Sequence, residues 1–408
     1  MLNAVRITEH GNRAATLLTN DSVRLIIDDW GGMVPEFSIK REAGFLNTHW
    51  VPIFRGNSGE TFCKERHENY WGDALTYNIA GCFPCAPSFG PTHYDGNVFY
   101  PTHGWAAGET WQIEKMEADS DRAYVISRME APKESNLKLS MSKIDMILEG
   151  QNIYYSALTL KNGEDEPFEA TIGYHNTLGS HFLQPGCKIS TCSDMYATPP
   201  LGGEFDFTGR IATDCQFDSL ENAPMRDGTI KDISIVPPMI GYSDIVSGRI
   251  PEGLDIAWSC VSNPQLQLAY VCFFNGSESV GEDEIGLRFN DLWLQYGGRD
   301  FTPWAPYDGA PDSTYCIATE NAIGAFATGL KNAKKTKEVM GTPTTFIIPP
   351  FSSRTLLYGT ALVPYCNGSL DNGLEKVERT DNSLVLHGKN GRCEICADSS
   401  FKILKSLL

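Results

Sequence analysis

Short runs rich in β-branched and aromatic residues recur along the whole chain, separated by clusters of Gly, Pro, Asn and Asp. Val23–Asp28, Gln151–Leu160, Leu266–Phe273 and Thr355–Gly359 are clear examples. Runs of this length and composition read as strands. No long stretch places apolar residues at helical spacing, and the 408 residues include 38 Gly and 23 Pro, which break helices. The expected fold class is therefore all-β, a sandwich with few short helices. Residues 321–333, from Asn321 to Ala333, are a candidate for one of those helices.

Turn chemistry divides the chain further. Gly31-Gly32 marks a tight turn after an early strand, and residues 161–165 read as the link between two others. Residues 54–100 mix aromatics, Gly, Pro, Cys and charges without periodicity. They read as long loops laid across one face of the sandwich, and long loops in compact domains are commonly functional. The composition changes after Val363-Pro364, where residues 367–373 resemble a linker. The expectation is one domain over 1–364 and a C-terminal β-rich extension, 365–408, of two or three strands packed on it, too short for a core of its own.

Charge narrows the partners. With 33 Lys+Arg against 51 Asp+Glu the formal net charge is -18, which repels nucleic-acid phosphates and anionic lipids. No nucleic acid and no membrane partner is expected, and a neutral small molecule fits better. The first twenty residues show no signal-peptide pattern and no run reaches the length of a transmembrane helix, so the expected location is the cytoplasm. Oligomeric state is not legible. The twelve cysteines are too sparse for a disulfide scaffold. The pairs Cys82/Cys85 and Cys393/Cys396 lie at opposite ends of the chain without a neighbouring His, so no metal site is expected.

Three islands carry potential chemistry: His103-Gly104 within Pro101–Trp111, His175 within Thr171–Gly179, and Glu320 within Tyr315–Asn321. Glu320 sits in an otherwise apolar strand, where a charge is costly unless it is paired or faces a cleft. Two imidazoles and a carboxylate gathered by a sheet make an acid–base set. Trp71, Trp105, Trp304 and Tyr174 lie near the islands or in the long loops and offer flat apolar surface for a sugar ring. Arg66, His67, Glu68 and Asn69, beside Tyr70-Trp71, form a polar knot placed to line a cleft rim.

Taken in order, these islands resemble the aldose 1-epimerase (galactose mutarotase-like) superfamily. The supporting features are the Gly31-Gly32 turn, the approach from Phe83-Pro84 to His103-Gly104, His175 at a strand end, Phe301–Trp304, Glu320, and the closing segment from Pro349 to Gly359. The resemblance spans about Val5 to Leu362. It implies a large twisted antiparallel β-sandwich, the supersandwich of that family, with an open cleft on one face. It also implies Glu320 as general base, His175 as general acid and His103 as a hydrogen-bonding partner of the sugar, with Asn176 and Asp291 among the substrate contacts. Asp206 and Asp255 are alternatives to Asp291 as the binding aspartate. The family's Asn-Arg pair ahead of the His-Gly is missing; Ile79–Pro84 stands in that region, and Arg66 and His67 are candidate replacements.

The function implied is a carbohydrate isomerase that interconverts the α and β anomers of an aldose or sugar derivative. Mutarotation needs one base at the anomeric hydroxyl and one acid at the ring oxygen, and no cofactor. Reference pKa values of about 4.3 for glutamate and about 6.5 for histidine suit those tasks near neutrality. The alternatives are a non-catalytic carbohydrate-binding protein on the same sandwich, which has no need of an acid and a base, and a carbohydrate-cleaving enzyme. Hydrolases of the latter kind ordinarily need two carboxylates flanking the bond.

Overall fold

The computed structural model describes residues 1–8, 13–56 and 60–408. Two large antiparallel sheets carry the fold. One runs in the order Lys188–Thr191, Ile256–Asn263, Leu268–Asn275, Ser353–Pro364, Ile153–Asn162, Leu139–Leu148, Arg122–Glu130, Gln112–Ala118. The other runs Gln216–Phe217, Met195–Ala197, Tyr242–Arg249, Phe289–Tyr296, Tyr315–Ile323, Ile172–Leu178, Cys82–Cys85. An N-terminal meander of five strands between Asn3 and Asn47 adds its inward residues, including Leu18, Leu25 and Phe37, to the same core. The all-β expectation holds, and no helix among the described residues is long and apolar enough to cross a membrane.

Strand alternation builds three layers of packing. Between the sheets, Tyr154, Leu158 and Leu160 meet Tyr174, Leu178, Leu292, Leu294 and Ile317. One residue along the same strands, Tyr155 and Ala157 point out of the first sheet and need a separate cover. Residues after Pro364 supply it: Leu374, Val377, Leu384, Leu386, Phe401 and Leu404 close over Tyr155, Trp258 and Phe273. The tail forms strands Leu374–Arg379, Ser383–Gly388 and Gly391–Cys396 and a short helix Lys402–Lys405. Arg379 ties it down through Asp255, Nε to Oδ2 at 2.7 Å.

On the outer face of the second sheet, Phe83, Cys85, Trp293, Cys316 and Ala318 pack under Trp50, Phe54, Leu75, Ile79 and Trp304 from the connections. Cys82 faces the inter-sheet core and Cys85 this outer layer, so the pair cannot share a metal ion.

Two local expectations need correction. Residues 54–100 are not simply loops: they hold helices Lys64–Trp71 and Ala74–Asn78, a strand of the second sheet and the hairpin His93–Asp95/Val98–Tyr100. Residues 57–59 of that stretch lie outside the described residues. Asp73 starts the second helix by accepting from the Thr76 amide at 2.7 Å. The candidate helix 321–333 is strand as far as Ile323, because Asn321 is paired in register with Asn290. The helix follows only after Gly329, over Leu330–Thr336.

Candidate active site

One row of residues crosses the outer face of the second sheet in register. Phe83 stands opposite His175, His175 opposite Glu320, Glu320 opposite Asp291, and Asp291 opposite Ser247. Residues directly opposite in an antiparallel pair have Cβ atoms about 5 Å apart. Register alone thus brings together residues from five separate parts of the chain, and it inserts a polar stripe into an apolar layer.

His175 Nε2 lies 3.0 Å from Glu320 Oε1, with both side chains almost wholly buried. The other imidazole nitrogen, Nδ1, is 2.8 Å from the Thr177 hydroxyl. Phe83 stacks on the His175 ring at 4.6 Å between centroids and 14° between planes, and Trp293 meets the ring edge-on at 5.9 Å. Both nitrogens are engaged and the ring is clamped, so the imidazole has one orientation, with Nε2 turned to the carboxylate. Glu320 Oε2 and Asp291 Oδ2 are buried with no hydrogen-bond partner among the described residues. Burial, reinforced by the Glu320 charge, pushes the Asp291 carboxyl well above the usual carboxylate range; the Ser247 hydroxyl and the nearby amides of Ala327 and Phe326 oppose the rise.

His103 comes to the same place by a different route. It adopts φ 58 at the N-cap of the short helix Gly104–Gly108, and its amide donates to Gly90 O at 2.7 Å. The next residue must be glycine: Gly104 has φ +76, and a Cβ there would fall 2.3 Å from Ala86 O. The turn sets the His103 ring 5.2 Å from the His175 ring. Burial and the neighbouring His175 hold His103 well below the ordinary histidine range, so it is a neutral imidazole, and its Nδ1 has no partner among the described residues.

These groups open on a cleft of about 390 Å³ whose lining includes His103, His175, Glu320, Trp293, Trp304, Phe301, Glu204 and Arg299. Arg299 forks onto Glu204 with contacts of 2.6 and 3.0 Å and lies over the Trp304 ring at 4.2 Å. Trp50 stacks on Trp304 at 6.2 Å and 4°. That indole thus packs against Trp50 and under Arg299. The fork leaves the Arg299 charge balanced by Glu204 at the cleft wall.

The structure brings His103, His175, Glu320 and Trp304 to one cleft, with Asp291 beside Glu320. Asp206 and Asp255 lie elsewhere, the former bound to Thr213 and the latter to Arg379. Tyr174 and Asn176 flank His175 in sequence and for that reason point the other way, into the core between the sheets. There Asn176 Nδ2 donates to the Tyr358 hydroxyl at 2.8 Å, and Tyr174 stacks on Tyr358 at 4.5 Å. Trp105 is buried against Tyr100 at 5.0 Å, where its Nε1 donates to Phe99 O. His67 stacks on Tyr77 at 4.7 Å and Arg66 extends into solvent beside Glu60, so neither reaches the cleft. Trp71 lines a groove next to the cleft, with its Nε1 fixed to Phe54 O at 2.7 Å. Glu204, Phe205 and Phe326 are lining residues that sequence reasoning missed. They come from irregular connections with no periodic signal.

No protein-family model and no curated protein matches the sequence. Solved structures do match in fold. A proposed aldose 1-epimerase from Klebsiella pneumoniae aligns with a TM-score of 0.60 at 11% identity, over 88% of this chain and 83% of that one. A galactose mutarotase-like protein from Clostridium acetobutylicum gives 0.57 at 13%, over 89% and 99%. A galactose mutarotase related enzyme from Lactobacillus acidophilus gives 0.53 at 10%, over 90% and 99%. At such identities the likeness speaks to architecture alone, and on that ground the chain has the galactose mutarotase-like fold.

Proposed function

We propose that the protein is a carbohydrate isomerase of the aldose 1-epimerase type, opening and reclosing the hemiacetal of a free sugar. The observation that carries this reading is the contact between His175 Nε2 and Glu320 Oε1 at 3.0 Å, with Glu320 Oε2 left unpartnered in the same cleft. The anomeric hydroxyl and the ring oxygen are bonded to one carbon, so a base and an acid that serve them must stand side by side. Glu320 takes the proton from the anomeric hydroxyl while the Nε2 proton of His175 goes to the ring oxygen, and the bond from the anomeric carbon to that oxygen breaks. Rotation about the adjacent carbon–carbon bond presents the other face of the aldehyde. Reclosure returns each proton to its donor. His103, neutral, is positioned to accept from or donate to a sugar hydroxyl.

The arrangement fits hydrolysis less well. Glycosidases need two carboxyls on opposite sides of the bond, at least about 5 Å apart. Here Asp291 is buried beside Glu320 in register on the adjoining strand and is not among the cleft-lining residues, so it does not face Glu320 across a bound sugar. The test is NMR exchange or polarimetry on fresh α-anomers of glucose, galactose and other aldoses. Acceleration by the wild type that is lost in Glu320→Gln supports the isomerase; sugar binding without acceleration supports a binding protein instead.

A further inference from the structure

Resting on that reading of the cleft, we infer that the substrate is the reducing end of an oligosaccharide, held by a second groove that continues from the acid–base site. A groove of about 850 Å³ adjoins the cleft and shares with it Leu75, Thr76, Pro91, Thr102, Phe301 and Trp304. None of the shared residues is an acid or base of the proposed reaction. A ring seated on Glu320 and His175 therefore turns its far edge toward the junction, where the next sugar unit is attached.

The sizes support an extended ligand. A hexopyranose displaces roughly six waters, on the order of 180 Å³. The cleft of about 390 Å³ already exceeds one ring, and the outer groove more than doubles the space.

The lining has the chemistry of a saccharide track. Trp71, Phe99 and Phe301 supply aromatic surface, and Phe99 and Phe301 remain 44% and 40% exposed. Rings exposed within a groove present apolar faces that sugar C–H groups can cover. Trp304, with Arg299 lying over its ring, is shared between the groove and the cleft. Between the rings sit hydroxyls and a carboxylate already aligned by one another: Thr102 Oγ1 donates to Asp73 Oδ2 at 2.6 Å and lies 2.9 Å from Thr92 Oγ1. A groove lined by rings and hydroxyls that ends at a hemiacetal-opening pair selects a chain with one free reducing end.

The experiment measures anomer exchange by NMR and binding by calorimetry, with glucose, galactose and α- and β-linked di- and trisaccharides of each, on wild type and Phe99→Ala. At least one trisaccharide series is expected to exceed its monosaccharide tenfold or more in kcat/KM and in affinity, and Phe99→Ala to shrink that ratio at least threefold. Exchange that is as efficient on monosaccharides as on every oligosaccharide overturns the inference while leaving the isomerase standing. Tighter binding of a trisaccharide with no exchange on any sugar supports the groove and overturns the proposed reaction. No preference in either measurement overturns the groove. A preference undiminished in Phe99→Ala overturns the assigned lining.

Discussion

Asp291 and Glu320 stand opposite each other on neighbouring antiparallel strands, so that a fully buried carboxyl lies beside the carboxyl that lines the cleft. Burial and the Glu320 charge raise the Asp291 pKa. Between the unfolded-state value, about 3.9, and the raised native value, the native state keeps a proton that the unfolded chain has released. This contribution to stability is fully present below pH 4 and is lost as pH rises through the native pKa. Asp291→Asn removes the ionisable group while keeping an acceptor for Ser247. Urea titrations at pH 8 are expected to show the variant more stable than wild type, with the gap closing toward pH 4. A gap independent of pH would contradict the assigned shift.

The contact between His175 and Glu320 predicts strong coupling between them. Glu320→Gln and His175→Asn are each expected to lower kcat/KM for anomer exchange by about 10²–10⁴-fold. Because the two act as one unit, the double variant should lose little more than the worse single one. Effects that multiply independently would show that the two groups do not serve one step.

Arg299 predicts a sensitivity to shape beyond charge. Its fork on Glu204 and its cover of Trp304 both require a planar guanidinium. Arg299→Lys keeps the charge and should still raise KM by about tenfold, roughly 1.4 kcal/mol. An unchanged KM would reduce Arg299 to a surface ion pair.

Acid should destabilise the fold through His49. This residue is buried with Nδ1 2.6 Å from Val34 O and Nε2 3.0 Å from the Tyr270 hydroxyl, and burial lowers its pKa to about 4. Below pH 6.5 the unfolded chain takes up a proton that the native state refuses, so stability falls as pH drops from about 6.5 to about 4 and then levels. The shift corresponds to about 3 kcal/mol. His103 acts in the same direction. Denaturation curves of His49→Gln should show a shallower loss across that window; an identical slope would place the acid sensitivity elsewhere.

What was legible in the sequence follows from what alternation can and cannot encode. Strand composition and turn residues pointed to the all-β class, and an isolated carboxylate in Tyr315–Asn321 marked Glu320 because charge in an apolar strand demands a reason. Proximity to His175 was a poor guide, since Tyr174 and Asn176 are thrown to the opposite face by the two-residue period. Aromatic content did not separate Trp105, buried against Tyr100, from Trp304 at the cleft. The partnership of Asp291 with Glu320 depends on the register between two strands, and no local pattern records a register. Arg299 and Glu204 meet through irregular connections and leave no periodic trace.

The residues after Pro364 cover an apolar face that the first sheet cannot leave in water, which leads to a prediction at Phe401. Its ring is fully buried, stacks on Phe273 at 5.6 Å and meets Tyr155 edge-on at 6.3 Å. Phe401→Ala removes that contact and leaves a cavity against a rigid sheet, at an expected cost of about 3–5 kcal/mol. Leu408→Ala, at a site 61% exposed, should change stability by under about 0.5 kcal/mol. If the tail and the sandwich share one cooperative core, intrinsic tryptophan fluorescence and far-ultraviolet circular dichroism will report the same midpoint, lowered in parallel by Phe401→Ala. A variant that melts the tail first, with the sandwich transition unmoved, would show that the cover is dispensable and that Tyr155, Trp258 and Phe273 tolerate exposure.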